Sequence, residues 1–284
     1  MHSSCVRKTK KEGLLCVVNT RQCIGWSLDI LANSCGWISL RPHSLDYHVL
    51  FSSNIPRSLF FFQRGFKMFT PFKHLRILEF SPSLILKRVP LPLRNLVFLR
   101  YLSVLQWFES LDDVVSTNSN LQTIIVSGTG ESKVVAPTLH LSSKIWELQH
   151  LRHLELGDMY TVDPPDMIKE NLKTLICAMQ IHSRKEVYYS WFPSIRKLKI
   201  LYKDCTSGYC GNPIIILENF EDLLWLETLT VMVSIVNITL LERLGFPVNL
   251  QKLRLSGTKF PVKVLRVIGQ LPKLKLVKLE SIYC

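Results

Sequence analysis

"LQHLRHLEL", Leu148 to Leu156, ends in leucine, two variable residues, leucine, one variable residue and leucine. "LVFLRYLSV", Leu96 to Val104, is written in nearly the same way. In extended backbone, side chains alternate between two faces, so the fourth and sixth residues of LxxLxL point to one side. The first leucine turns in just ahead of them. One such unit has too little apolar surface to bury by itself, so the pattern requires neighbours that stack on it.

Those neighbours are present. Six-residue starts occur at Leu75, Leu99, Leu121, Leu151, Leu172, Ile195, Leu226, Leu250 and Leu274. Their intervals are 24, 22, 30, 21, 23, 31, 24 and 24 residues. Most fall in or near the leucine-rich-repeat range of about 20–29 residues, and the two long ones accommodate insertions. The expected fold is therefore an α/β leucine-rich-repeat solenoid, with a curved parallel sheet on the concave face and irregular loops and short helices on the convex face. "KRVPLPLRNL" and "LSSKIWELQHL" are candidates for helical turns between strands. "IPRSLFFFQ", Ile55 to Gln63, reads as a degenerate first strand with Leu59 and Phe61 inward. The expected organisation is a non-repeat segment over residues 1–54 and about nine repeats over 55–284. "LVKLESIYC" stops just after a strand without a polar capping repeat, which predicts a truncated C-terminus or a missing neighbour.

The position three residues after each strand's last aliphatic carries no asparagine ladder: it holds Ser83, Trp107, Thr129, Met159, Gln180, Lys203, Ser234, Thr258 and Ile282. Backbone groups must then be satisfied repeat by repeat.

Composition agrees with a globular chain. Of 284 residues, 47% are hydrophobic and 20% charged, and the formal net charge is +13. No run of 18 or more apolar residues exists, so no transmembrane helix is expected. The basic N-terminus is followed by too short an apolar stretch, Leu14–Val18, for a secretory signal. The eight cysteines form no CxxC pair, and Cys205 and Cys210 stand alone, which predicts reduced, mostly buried thiols. A cytoplasmic location follows as the expectation, in which the NIT sequon at Asn237 has no role.

Several words resemble a family. "VPLPLRNLVFLRYLSV" is similar to the repeats of plant intracellular nucleotide-binding leucine-rich-repeat immune receptors, and "KIWELQHLRHLEL" resembles their IW-containing repeat. "FPVNLQKLRLSGTKF" and "IGQLPKLKLVKL" resemble later repeats of the same group. The resemblance points to the late blight resistance proteins of nightshades and covers the chain from about Ser58. "MHSSCVRKTKKEGLLCVVN" is similar to the end of that family's nucleotide-binding module, with Ser3 where the Met-His-Asp signature has aspartate, so no nucleotide-sensing role is carried onto His2. The resemblance implies plant defence, including the hypersensitive response, with the repeats serving recognition and autoinhibition. Effector contact would relieve contacts that hold a nucleotide switch closed. The alternative is a free-standing leucine-rich-repeat interaction scaffold or a nonfunctional receptor fragment.

Solenoids bind on the strand face. The residues after the first repeat position are Arg76, Arg100, Gln122, Arg152, Lys173, Arg196, Glu227, Gln251 and Lys275. His153, Lys197, Lys199, Lys252, Arg254 and Lys278 lie beside them. Strands about 4.8 Å apart would stack these cations so that they repel, and such a ladder attracts an acidic protein surface. That partner is expected to be a pathogen effector or the family's own nucleotide-binding domain. A solvated face that keeps the sheet soluble is the plain alternative.

A nucleic-acid partner, with Tyr101, His153 and Trp107 stacking, is disfavoured because no nucleic-acid motif accompanies the charge. No small-molecule substrate, cofactor or metal is expected. "SGTGESK", Ser127 to Lys133, has the glycines and lysine of a phosphate loop in the wrong order. His150 and His153 with Glu147 and Glu155 do not complete a metal site. Asp112 and Asp113 sit in a loop-like stretch, and nothing in the sequence specifies the geometry across from an acid or base that catalysis needs, so an enzyme is not expected. The aromatic clusters "SLFFFQRGFKMF" and "YYSWF" are read as packing in a cap or in convex gaps, with Phe60 and Phe62 directed away from the repeat core.

Overall fold

The structure is a computed structural model that describes residues 15–19, 37–41, 57–61, 75–80, 96–107, 111–128, 139–158, 160–163, 165–180, 191–203, 220–233, 245–257 and 262–280. The chain divides into two compact units, Met1–Lys133 with Glu147–His150 and Val134–Trp146 with Leu151–Cys284. Each is built as a leucine-rich-repeat solenoid on a parallel sheet.

The first unit carries β1 (Leu15–Asn19), β2 (Trp37–Arg41), β3 (Ser58–Phe61), β4 (Ile77–Phe80), β5 (Tyr101–Val104) and β6 (Thr123–Val126). They pair in chain order, all parallel. The second unit carries β7 (Leu139–Leu141), β8 (His153–Leu156), β9 (Tyr160–Val162), β10 (Thr174–Gln180), β11 (Lys197–Lys203), β12 (Thr228–Val233), β13 (Lys252–Ser256) and β14 (Leu276–Glu280). Here β8, β10, β11, β12, β13 and β14 pair successively in parallel. Parallel pairing follows from the repeat, because each turn must return to the same end before its next strand begins.

The LxxLxL positions are the core. Leu99, Leu102 and Val104 in one repeat, and Ile195, Leu198 and Ile200 in another, are fully or almost fully buried. Cys177 takes the sixth position of its repeat and is buried as a free thiol, and that burial pushes its pKa up to about 12. β14 differs: Val277 and Leu279 are in register with buried Leu253 and Leu255, yet both are exposed.

Backbone groups are satisfied at the start of the strand. A tight turn precedes it: Leu99 N donates to Leu96 O at 2.9 Å, and Leu226 N donates to Leu223 O at 2.9 Å. The next carbonyl then accepts two amides from the following repeat. Arg76 O receives Arg100 N at 2.8 Å and Tyr101 N at 3.0 Å. The same shared carbonyl recurs at Arg57, Arg100, Arg152, Lys173, Arg196, Glu227 and Gln251. This seam ties the start of each strand to the repeat before it. Side chains add to it locally, where Asn120 Nδ2 donates to Val97 O and Asn249 Nδ2 to Leu224 O.

Three features depart from the sequence pattern. First, β1 and β2 lie within residues 1–54, where no LxxLxL start occurs. Second, β7 and β9 form a short parallel pair in the second unit, with Ala178 of the long β10 opposite Thr161 of β9. Third, Asp112 and Asp113 are not in a loop. They occupy the first turn of α1 (Leu111–Thr117), which buries Leu111, Val114 and Val115 and places both carboxylates at its favourable N-terminal end. The other α-helix among the described residues, α2 (Val262–Gly269), buries Val264 and Ile268 one turn apart.

β3 is the strand expected over Ile55 to Gln63, but it is not the first, because β2 pairs with it and β1 pairs with β2. Its register sets Leu59 opposite Leu78 and Phe61 opposite Phe80. The side-chain directions of Leu59, Phe60, Phe61 and Phe62 lie outside the described residues, as do Lys87–Asn95 and most of the SGTGESK stretch. A short 3-10 helix, Ser143–Glu147, fills the other expected helical turn and buries Ile145 and Trp146. Trp146 packs on Phe192 with ring centroids 5.6 Å apart, and its Nε1 donates to Asp163 O at 2.6 Å. Lys169 Nζ donates to Trp146 O, and burial lowers the Lys169 pKa. Phe192 of "YYSWF" is thus a core residue, whereas Tyr188 to Ser190 lie outside the described residues. No helix among the described residues is long and apolar enough to cross a membrane.

Candidate interaction surface

Burial of the fourth and sixth repeat positions forces the residues between them onto the opposite face of the sheet. In the second unit this gives two rows. His153, Thr174, Lys197, Thr228, Lys252 and Leu276 are in register across β8, β10, β11, β12, β13 and β14. Glu155, Ile176, Lys199, Thr230, Arg254 and Lys278 form the parallel row two residues on. At the strand starts the shared-carbonyl column adds Arg152, Lys173, Arg196, Glu227 and Gln251, and Lys275 follows as the last amide donor to it. Ten of the twelve predicted residues therefore come together in the second unit. Arg76 and Arg100 belong to the first unit, where they continue the same kind of column and are exposed.

The face is not an unbroken stack of like charges. Nine cations share it with three carboxylates, and each carboxylate takes one partner. Lys197 Nζ reaches past β10 to Glu155 Oε1 at 3.2 Å, Arg196 Nη1 meets Glu227 Oε1 at 3.3 Å, and Arg254 Nη2 meets Glu280 Oε2 at 2.9 Å. Exposed pairs of this kind contribute about 0–1 kcal/mol each, so their main effect is to space the charge. Thr228 and Thr230 on β12 also separate the basic residues of β11 from those of β13. Arg152, Lys173, Lys199, Lys252, Lys275 and Lys278 have no ion-pair partner among the described residues, so the face keeps a positive excess.

His153 is half-buried, and its Nδ1 lies 3.0 Å from Thr174 Oγ1. Burial lowers its pKa, Glu155 works against that, and Arg152 and Lys197 reinforce it. Among the described residues no group of three or more His, Cys, Asp or Glu is placed to hold a metal ion. Trp107 is buried, which removes it from any stacking role, while Tyr101 is half-exposed. Met1, His2 and Ser3 lie outside the described residues.

The sequence pattern missed the rim of this surface. Among the described residues, the two positions before a repeat's first leucine form a turn ahead of the strand, and several of the residues there are large, apolar and exposed. In the second unit Leu224, Trp225 and Val248 are each 58–59% exposed. In the first unit Val97 and Phe98 occupy the same turn. Arg196 lies over the Trp225 ring, its guanidinium carbon 6.0 Å from the centroid, so the rim meets the basic face there. The signal is visible as "LLWLETL" and "FPVNLQ", but the repeat template treats those positions as variable.

Comparison with known proteins agrees with the repeat words. The chain is 26% identical to late blight resistance protein R1-A of Solanum demissum over 310 aligned positions, covering 98% of this chain and 23% of that protein. It is 23% identical to a putative late blight resistance protein homolog of the same species over 293 positions, covering 99% of this chain and 19% of that protein. Another putative homolog from that species is 26% identical over 218 positions, covering 75% of this chain and 16% of that protein. No family model matches the chain. The chain is thus homologous to late blight resistance proteins over nearly its whole length, and it spans about a fifth of the length of those relatives.

Proposed function

We propose that this chain is the recognition and autoinhibition region of a plant intracellular immune receptor, acting in the cytoplasm by binding rather than by catalysis. Homology to late blight resistance proteins supports the disease-resistance setting. The observation that carries the binding mode is the outward face of the second unit, where nine cations face three carboxylates on regularly spaced strands. A rigid sheet that presents charge of one sign attracts a partner of the other and raises its association rate. The partner is an acidic protein surface, either a pathogen effector or the nucleotide-binding domain of the same receptor. Competition between those two for one face would couple recognition to release of the switch.

The test reverses charge at Arg152, Lys173 and Arg196 together in the full chain and measures binding of a fluorescent oligoglutamate peptide across a salt series. The expected result is a loss of about tenfold or more in affinity, with wild-type binding that weakens steeply as salt rises. Binding that is unchanged by the reversal and independent of salt would sink the docking-face reading.

A further inference from the structure

We propose that the outward face of β11 to β13 and the apolar rim at the N-terminal ends of β12 and β13 form one bipartite docking site, which takes an extended acidic protein segment carrying an apolar anchor. The proposal rests on the reading of this face as a docking site for an acidic protein surface, and it narrows both the place and the ligand.

The face supplies a lane. Lys197 and Lys199 stand on β11, Thr228 and Thr230 on β12, and Lys252 and Arg254 on β13, in matched register. Adjacent strands lie about 4.8 Å apart, so the cations on β11 and β13 are roughly 10 Å apart across two short hydroxyl side chains. The lane is wide enough for one extended chain and bordered by charge on both sides. Same-face side chains on any extended chain recur about every 6.6 Å. Alternate carboxylates of an acidic segment therefore match the spacing from Lys197 to Lys199 and from Lys252 to Arg254. Lys199 and Lys252 have no ion-pair partner among the described residues, which leaves both free to take a carboxylate.

The rim supplies the anchor site. Leu224, Trp225 and Val248 lie in the turns that lead into β12 and β13, each more than half exposed. A cluster of large exposed apolar side chains beside a polar face is the usual mark of an interaction site, and Trp and Arg are the residues that most often dominate binding energy. Arg196 joins the two parts, because it covers the Trp225 ring and pairs with Glu227 at the start of the same strand. The positive excess on the lane selects an acidic occupant. Two adjacent aliphatic side chains beside an indole select an apolar side chain over a sugar or phosphate.

The experiment uses the full chain and two fluorescent peptides. One alternates glutamate and serine, and the other is the same peptide with a Phe-Leu pair at one end, each end made in turn. The anchored peptide should bind about tenfold more tightly than the plain one. Trp225→Ala should erase that advantage and leave the plain peptide unchanged, with Val248→Ser giving a smaller loss in the same direction. Lys199→Glu with Lys252→Glu should weaken both peptides. If the double reversal weakens both peptides but Trp225→Ala leaves the anchored one as tight as before, the bipartite site is wrong and the docking-face reading stands. If the double reversal changes neither peptide, both fall. If single-stranded oligothymidylate binds as tightly as the anchored peptide and also depends on Trp225, the assignment to a protein partner is overturned.

Discussion

The two units have the same kind of core and differ on the face. Leu102 in the first unit and Leu154 in the second are both fully buried at the fourth repeat position. The outward rows are unlike. In β4 to β6 they read Ile77, Tyr101 and Thr123, then Glu79, Ser103 and Ile125, without one cation. In β11 to β14 the same rows carry Lys197, Lys199, Lys252, Arg254 and Lys278. Among these strands of the first unit, basic residues are confined to the column at the strand starts. The repeat therefore fixes the inside and leaves the outside free, so the positive excess belongs to β11 to β14 and is not a property of the fold.

Four experiments would break or sharpen that contrast. The largest effect belongs to the core of each unit: Leu102→Ala and Leu154→Ala should each cost about 2–5 kcal/mol in urea denaturation. A loss below about 1 kcal/mol in one unit alone would show that the cores are not equivalent. Next comes the face. Lys199→Glu with Lys252→Glu should reduce binding of the alternating glutamate-serine peptide about tenfold, whereas Arg76→Glu with Arg100→Glu should change it less than about twofold. Equal losses from both pairs would spread the binding over the two units.

A smaller effect is expected at the 3-10 helix of the second unit. Trp146→Phe keeps a ring against Phe192 but deletes the Nε1 donor to Asp163 O, and should cost about 1 kcal/mol by thermal or urea unfolding. The smallest effects concern pH and have opposite signs in the two units. Burial raises the pKa of Glu79 above its usual 4.5, so the native state holds a proton that the unfolded chain releases. That contribution is full below 4.5 and is lost as pH rises through the raised value. Glu79→Gln should then be more stable than wild type at neutral pH and lose the advantage in acid. His153, lowered mainly by burial from 6.5, contributes stability above 6.5 that disappears as pH falls. His153→Gln should flatten that acid loss. Both groups are partly exposed, so each change should stay below about 1 kcal/mol in pH-dependent unfolding.

Much of the fold was legible because the core obeys one template. All nine starts, from Leu75 to Leu274, lead directly into a strand of the parallel sheet. β1 and β2 escaped because only part of the template survives in them. Cys16 with Val18 and Ile38 with Leu40 register with the inward columns, but the first position holds Gly13 and Cys35 instead of leucine. β7 and β9 are three residues each, shorter than the six-residue word used to find strands. α1 was hidden because a seven-residue helix depends on burial of Leu111, Val114 and Val115, which two aspartates in a row disguise. The basic face was legible from alternation alone. Its three ion pairs were not, since the Lys197–Glu155 contact joins residues 42 positions apart on non-adjacent strands. The rim was lost because a template that names only leucines treats Trp225 and Val248 as noise.

The shared carbonyl at the start of each strand has an evolutionary consequence. The seam between repeats is made by main-chain atoms of residues whose side chains are Arg57, Arg76, Arg100, Arg152, Lys173, Arg196, Glu227 and Gln251. The chemistry of that column already ranges over both charges and a neutral amide without disturbing the bond. Side chains in that column can therefore change one residue at a time without touching the bonds of the seam, unless proline removes a donating amide.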